Sequence, residues 1–471
     1  MMAEPLHELT ALEQSAAIRR GELSCTTLTE HYLARIAERN ETVGALITVL
    51  GESALIEAEQ LDRRLREVAS DEPLFGVPLP IKDLDPVAGV RCTFGSAVFD
   101  DFVSPDDAAH VTAIREAGMV VVGKSNTPEF GFPNYTENRV APPARTPWDL
   151  QRSAGGSSGG AAAAVAAGLC SVAVGSDGGG SIRIPASATG LVGIKPSRGR
   201  VSPAPTPMLP GELAVHGPLA RTVADAAALL DVLAGSAPGD FFPAPPGGGF
   251  LSAAHRVPRP LRVGWFLDPL IADTTVVPDA IAAVARTTSV LKQHGHEVLE
   301  IPAPDVLDVV GHFEVIWSVL AASLPIDPND RDRLMPLTGY LMDWGARYSG
   351  ADLARSISAA REVQAKVSVA LNEYDVIVCP TLAQLPSPVG AIRDDADPAG
   401  DFDAQKRFSP HTAVFNVTGQ PVISAPVHLT DEGLPVGVQL VGRYGEEEVL
   451  ISVAAQLERE FGWDQRRPAF W

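Results

Sequence analysis

Cysteine is scarce in this chain: four residues in 471, namely Cys25, Cys92, Cys170 and Cys379, scattered with no CxxC spacing. That argues against a disulfide framework and against a zinc site. Basic residues are short as well, with 37 Lys and Arg against 58 Asp and Glu, a net charge of −21. So acidic a chain is poorly suited to nucleic acid or to an anionic membrane surface. The apolar run from Ala161 to Ser176 is too short and too rich in alanine and glycine to span a bilayer. The opening MMAEPLHELTALEQ is acidic and lacks the basic-then-apolar order of a signal peptide. With 45% hydrophobic and 20% charged residues the composition is globular. The expectation is a cytoplasmic enzyme or binding protein, monomer or homodimer, acting on a small neutral or apolar ligand.

Glycine is not scarce, and it gathers around two serines. Residues 152–200 read RSAGGSSGGAAAAVAAGLCSVAVGSDGGGSIRIPASATGLVGIKPSRGR, with Ser157 and Ser181 each beside a glycine cluster. Such density marks backbone held in special geometry or approached closely by something. Ala161 to Gly168 is dominated by the best helix former, and Ser171 to Gly175 reads as a short strand. A helix of about 10 residues advances roughly 15 Å, and a strand of about 5 returns roughly 16 Å. The loops carrying Ser157 and Ser181 should therefore emerge at one end of the layer.

Along the chain, residues 1–70 read as a helical layer. Leu6, Leu9 and Leu12 recur at helical spacing, then Leu28, Tyr32, Leu33 and Ile36, and Ala54 to Val68 is a charged third helix. Pro73 to Asp85 (PLFGVPLPIKDLD) is an apolar strand in which Lys82 falls where Ile81 and Leu84 place buried backbone. Lysine is rarely buried without a partner or a task. Asp83 should point to the opposite face and leave Lys82 unneutralised. Gly118, Gly123, Lys124 and Ser125 match a phosphate-binding loop in form, but the intervening MVVV reads as a strand, so the match is fortuitous. Gly217 to Leu233 reads as an amphipathic helix with Thr222 as its N-cap. Residues 261–301 read as a βαβ unit, and 375–380, 422–427 and 437–441 as buried strands. The expected class is α/β, one domain, with a central mixed twisted sheet flanked by helices on both faces. Its parts are the helical layer, a core at 73–235, a variable helical region at 236–410, and closing strands and a helix at 411–471.

Three chemistries compete for the glycine–serine stretch. A flexible linker is at odds with the buried-looking AVAAG and SVAVG beside it. Gly156, Ser158 and Gly160 fit the GxSxG nucleophile elbow, yet TPWDLQRSA before them is no strand, and neither His411 nor His428 has a telling neighbour. The third is a Ser–Ser–Lys arrangement, and here the residues carry a resemblance. GGSSGG, an alanine-rich helix and GSDGGGSIRIPASATGLVGIKPSRGRVS closely resemble the signature of the amidase signature family. PIKD at 80–83, GKSNTPEFG at 123–131, PWDL at 147–150, FNVTGQP at 415–421 and GLPVGVQLVG at 433–442 are similar to family segments too.

The resemblance implies roles. Ser181 would be the nucleophile, Ser157 a bridging serine that follows a cis peptide bond in the family, and Lys82 the terminal base. The backbone N–H groups of Gly178, Gly179, Gly180 and Ser181 would form the oxyanion hole, with Ser158, Asp177 and Arg183 in support. Ser176 stands where the family often has threonine. A serine needs an adjacent base, and lysine can serve if burial lowers its pKa from about 10.4. No cofactor or metal is called for by this mechanism, and no Cys/His/Asp grouping in the sequence suggests one. The family implies a hydrolase of linear carboxylic amides, with carbamates, urethanes or esters within reach of the same carbonyl chemistry, and the chain looks closest to bacterial stand-alone amidases. The alternative is an amidotransferase subunit supplying ammonia from glutamine to a partner, against which GELAVHGP at 211–218 counts. Phe132, Trp317, Met335 and Tyr340 are the candidate pocket residues and suggest an apolar or aromatic amide or carbamate.

Overall fold

In the computed structural model the described residues are 5–65, 72–205, 211–306 and 308–471. They form two sheets rather than the one expected. The smaller has order β1–β3–β2, with β1 Leu46–Val49, β2 Pro78–Lys82 and β3 Val120–Ser125. β2 runs parallel to β3, and β1 antiparallel to it. The larger has eight strands: β4 Val172–Asp177, β5 Val192–Lys195, β6 Val215–Ala220, β7 Arg262–Trp265, β8 Glu297–Glu300, β9 Val376–Pro380, β10 Val422–Leu429 and β11 Pro435–Gly442. Their order is β4–β6–β5–β10–β11–β9–β7–β8. Only the pairs of β7 with β8 and with β9 are parallel, so the sheet is mixed as expected. The expected βαβ unit is present as β7, the helix Pro278–Gln293 and β8.

Side chains alternate across these strands, and each face finds its own helices. Val172, Val174, Val263, Val378, Ile423 and Leu440 pack in one cluster with the helices Val223–Leu233, Pro278–Gln293 and Glu447–Phe461. On the opposite face Ala173 and Leu219 join the helix Gly159–Ala166, while Ile377, Cys379, Val422 and Val441 join residues of the helices Asp308–Ala322 and Gly350–Leu371.

Several sequence readings need correction. Gly217 to Ala220 is not helical: it belongs to β6, and the helix starts at Val223, where the Thr222 side chain accepts from Asp225 N–H. The run ADAAALL has strong helix propensity, and the cap, not the propensity, marks where it begins. Leu6 and Leu9 precede the first helix, Ala11–Arg19, whose capping box is Thr10 and Glu13. The third helix spans Gly51–Arg64, and the 66–68 portion of the expected helix lies outside the described residues. Gly123, Lys124 and Ser125 lie in β3, a strand without phosphate-loop geometry. All four cysteines are free and buried.

The glycine–serine stretch folds as a short circuit. The helix Gly159–Ala166 leaves the Ser157 loop, β4 returns, and the helix Arg183–Thr189 departs from the Ser181 turn. Ser158 N–H donates to the Ser181 carbonyl at 3.1 Å, so the two loops do meet at one end.

Candidate active site

Lys82 is the last residue of β2, which brings its side chain out of the small sheet and under the Ser157 loop. Its Nζ lies 2.7 Å from Ser157 Oγ and 3.0 Å from Ser176 Oγ, and the Ser176 carbonyl is at 3.4 Å. Lys82 is fully buried and Ser157 is 2% exposed. Burial disfavours the ammonium and brings the Lys82 pKa down to about 7, although the carboxylates of Asp85 and Asp177 pull it upward. The neighbouring Asp83 does not neutralise Lys82: it turns to Lys124 at 3.0 Å and accepts from Thr93 N–H. Lys195 is a useful contrast. Burial brings it to about 7 as well, but its Nζ meets the Pro196 carbonyl and no serine hydroxyl. Geometry, not acidity alone, singles out Lys82.

The peptide bond between Gly156 and Ser157 is cis. The adjacent Phe130–Phe132 segment comes so close that a Cβ on Gly131 would sit 3.2 Å from Ser157 Oγ and 2.6 Å from Leu84 Cδ1. Ser158 is occupied structurally: its Oγ accepts from Ser176 N–H and donates to the Ser176 carbonyl, both at 3.2 Å. No strand leads directly into Ser158, only isolated bridges at Arg145, Arg152 and Ser153. His411 is bound to the Leu267 carbonyl and His428 to Asp279, so the elbow reading has no base.

Ser181 follows a tight turn built on Asp177. Asp177 accepts from Gly180 N–H at 2.7 Å and Ile182 N–H at 3.1 Å, and pairs with Arg183 at 2.9 Å. Burial raises the Asp177 pKa, but the Arg183 guanidinium outweighs it and holds the carboxyl well below the usual range. Arg183 continues to the Thr412 carbonyl, Gln439 and Asn416. Gly180 has φ of 134°, and a Cβ there would meet Thr412 Oγ1 at 2.6 Å, so only glycine fits. Because Gly180 N–H is already donated to Asp177, it drops out of the expected set of four oxyanion donors. The N–H groups of Gly178, Gly179 and Ser181 have no hydrogen-bond partner among the described residues.

Ser181 is 8% exposed and opens onto an apolar cavity. Phe132, Phe313, Trp317, Phe402, Val414 and Ile184 are among its walls, with Glu314 and Lys406, paired at 2.6 Å, at one side. Trp317 stacks on Phe313 with centroids 5.2 Å apart and meets the edge of Phe132 at 5.5 Å. Of the four expected pocket residues, Phe132 and Trp317 line this cavity. Met335 and Tyr340 do not: Met335 is buried with its N–H on Glu129, and Tyr340 packs against Trp344. Both lie on or beside the helix Pro336–Gly345, whose spacing gave no hint of which face meets the cavity.

A family profile described as Amidase matches residues 27–451. The chain belongs to the amidase signature family. It is a hydrolase of amide bonds. It is 36% identical over 482 residues to the 6-aminohexanoate-cyclic-dimer hydrolase of Pseudomonas sp. (strain NK87), covering 97% of this chain and 96% of that one. A solved structure of 6-aminohexanoate cyclic dimer hydrolase with its substrate matches with a TM-score of 0.87 at 32% identity, over 98% and 99% of the two chains. A bacterial aryl acylamidase of the family matches with the same TM-score at 26% identity, over 98% of each chain. Among the described residues of this amidase no helix is long and apolar enough to cross a membrane.

Sequence reasoning missed Ser176 as a second partner of Lys82. It also missed Thr412, Asn416 and Gln439, which clamp the Asp177–Arg183 pair. The family-like segments at 415–421 and 433–442, which hold Asn416 and Gln439, were the signal for two of these.

Proposed function

We propose that this amidase cleaves linear carboxylic amides through an acyl-enzyme on Ser181. Ser181 Oγ attacks the carbonyl carbon as its proton passes to Ser157 Oγ, and the Ser157 proton passes to Lys82 Nζ. The tetrahedral oxyanion is held by the N–H groups of Gly178, Gly179 and Ser181, donors of a kind worth about 10²–10³ each in rate. On collapse the C–N bond breaks, and the leaving amine takes a proton from Ser157, which Lys82 replenishes. Water then attacks the ester, its proton travels the same relay, and the carboxylic acid departs with Ser181 restored. Asp177 and Arg183 act through the turn, holding the donors in place.

The observation that carries this reading is the 2.7 Å contact between buried Lys82 Nζ and Ser157 Oγ beside the cavity that exposes Ser181. Its aromatic and aliphatic walls favour an apolar or aryl acyl group. Carbamates and esters present the same carbonyl and are further candidates. A 6-aminohexanoyl-type amide also fits: an apolar chain with a charged end would place that end near Glu314 and Lys406. Replacing Ser181 by Ala should abolish release of p-nitroaniline from acyl anilides while the protein stays folded. Substantial residual turnover would remove Ser181 as nucleophile. Strict preference for glutamine with co-purifying partners would favour the amidotransferase alternative instead.

A further inference from the structure

Outside the catalytic group, the fold gathers three side chains that the sequence keeps far apart. Asp85 lies three residues past Lys82, just beyond β2. His110 sits in the first turn of the helix Ala109–Glu116, and His216 lies on β6 opposite Ser176. Asp85 Oδ1 is 2.9 Å from His216 Nε2, and Asp85 Oδ2 is 3.6 Å from His110 Nε2. The two imidazoles stack with centroids 4.4 Å apart and planes inclined by 29°. One ligand atom from each residue can be chosen so that all lie within 4.8 Å of one another.

Hydrogen bonding alone does not satisfy this cluster. Asp85 and His110 are 5% and 2% exposed, yet Asp85 Oδ2 and both ring nitrogens of His110 have no hydrogen-bond partner. A separation of 3.6 Å is too long for a hydrogen bond, and buried polar atoms are rarely left without a partner. A metal ion between the three groups would engage Asp85 Oδ2 and one of the two His110 nitrogens. In a tetrahedral site with bonds of about 2.0–2.2 Å, ligand atoms stand about 3.3 Å apart; the 2.9 and 3.6 Å contacts, made by the two different Asp85 oxygens, lie near that spacing, and the full set, within 4.8 Å, would draw together on an ion. Two imidazole nitrogens and one carboxylate suit zinc and its first-row neighbours better than magnesium or calcium. The His216 side chain is 14% exposed, so the cluster is not sealed from solvent.

We propose that Asp85, His110 and His216 form a binding site for one divalent first-row transition metal ion, zinc fitting best. The ion would tie the end of β2 to β6 and to the helix Ala109–Glu116, three elements that converge beside Lys82 and Ser176. Its role is structural, and no step of the amide chemistry passes through it.

The test uses the full chain, stripped with chelator and dialysed. Added Zn²⁺ should bind with a stoichiometry of one and raise the melting temperature. Co²⁺ in its place should give the intense visible bands of a tetrahedral site. His110→Val, which removes a buried imidazole whose nitrogens have no hydrogen-bond partner, should fold at least as well without metal. It should weaken Zn²⁺ binding at least tenfold and lose the Co²⁺ bands, and His216→Ala should do the same. No stoichiometric uptake, as expected of a hydrogen-bonded cluster only, overturns the proposal. So does uptake that His110→Val and His216→Ala leave unchanged, because the ion then sits elsewhere.

Discussion

Replacing Lys82 by Met separates a catalytic base from a structural cation. Burial depresses the Lys82 pKa from 10.5 to about 7. Between those values the unfolded chain binds a proton that the folded chain does not, so folding is penalised. The penalty is absent above about pH 10.5 and grows by about 1.4 kcal/mol for each pH unit below it, becoming constant below about pH 7. At pH 8 it amounts to roughly 3 kcal/mol. Met removes the amine at similar volume, but the Ser157 and Ser176 hydroxyls each lose a partner, at a cost of about 1 kcal/mol or more apiece. At pH 8 the variant should therefore be as stable as the parent or more stable by up to about 1 kcal/mol, with amide turnover lost. Urea unfolding at pH 7, 8 and 9 reads the sharper signature: the parent should gain on the variant by about 1.4 kcal/mol per unit as pH rises. A charge-paired lysine would behave otherwise, with the variant destabilised by about 3–5 kcal/mol at every pH. That outcome, or retained turnover, would refute a neutral Lys82.

Two further outcomes follow from the same geometry. Because neutral Lys82 is the form that accepts a proton, log kcat/KM for an uncharged amide should rise with slope one below about pH 7 and level off above it. A flat profile from pH 5 to 9 would contradict this. Trp317→Ala removes the ring that stacks on Phe313 in the cavity wall, and should lower kcat/KM for aryl-acyl anilides by about tenfold to a hundredfold while barely changing acetanilide. Equal losses on both substrates would take Trp317 out of the acyl pocket.

Much of the site was legible before any coordinates. The Ser157 and Ser181 loops meet because the helix Gly159–Ala166 leads away from the first and β4 returns to the second. Lys82 stood out as a lysine in a strand with no apolar reason to be there. The sheet count was not legible: pairing across Leu46–Val49 and Pro78–Lys82 is non-local, and nothing in the alternation says which sheet a strand joins. β6 was hidden in a segment whose second half is strongly helical. Met335 and Tyr340 were misjudged because aromatic and methionine spacing reports an apolar face without saying what it faces. Asp85 and His216 are 131 positions apart and touch only because β6 pairs with β4 beside the end of β2. Gly180 shows the limit of motif reasoning most sharply. The motif offers four donors, and only the side chain of Asp177 shows that one of them is taken.

The most direct test of the account is covalent labelling of the nucleophile. The intact protein is treated with a fluorophosphonate, weighed, and mapped by peptide sequencing. One adduct on Ser181, abolished by Ser181→Ala and slowed strongly by Lys82→Met, is the predicted result. An adduct on Ser158 would contradict it, because that hydroxyl is held by the Ser176 backbone.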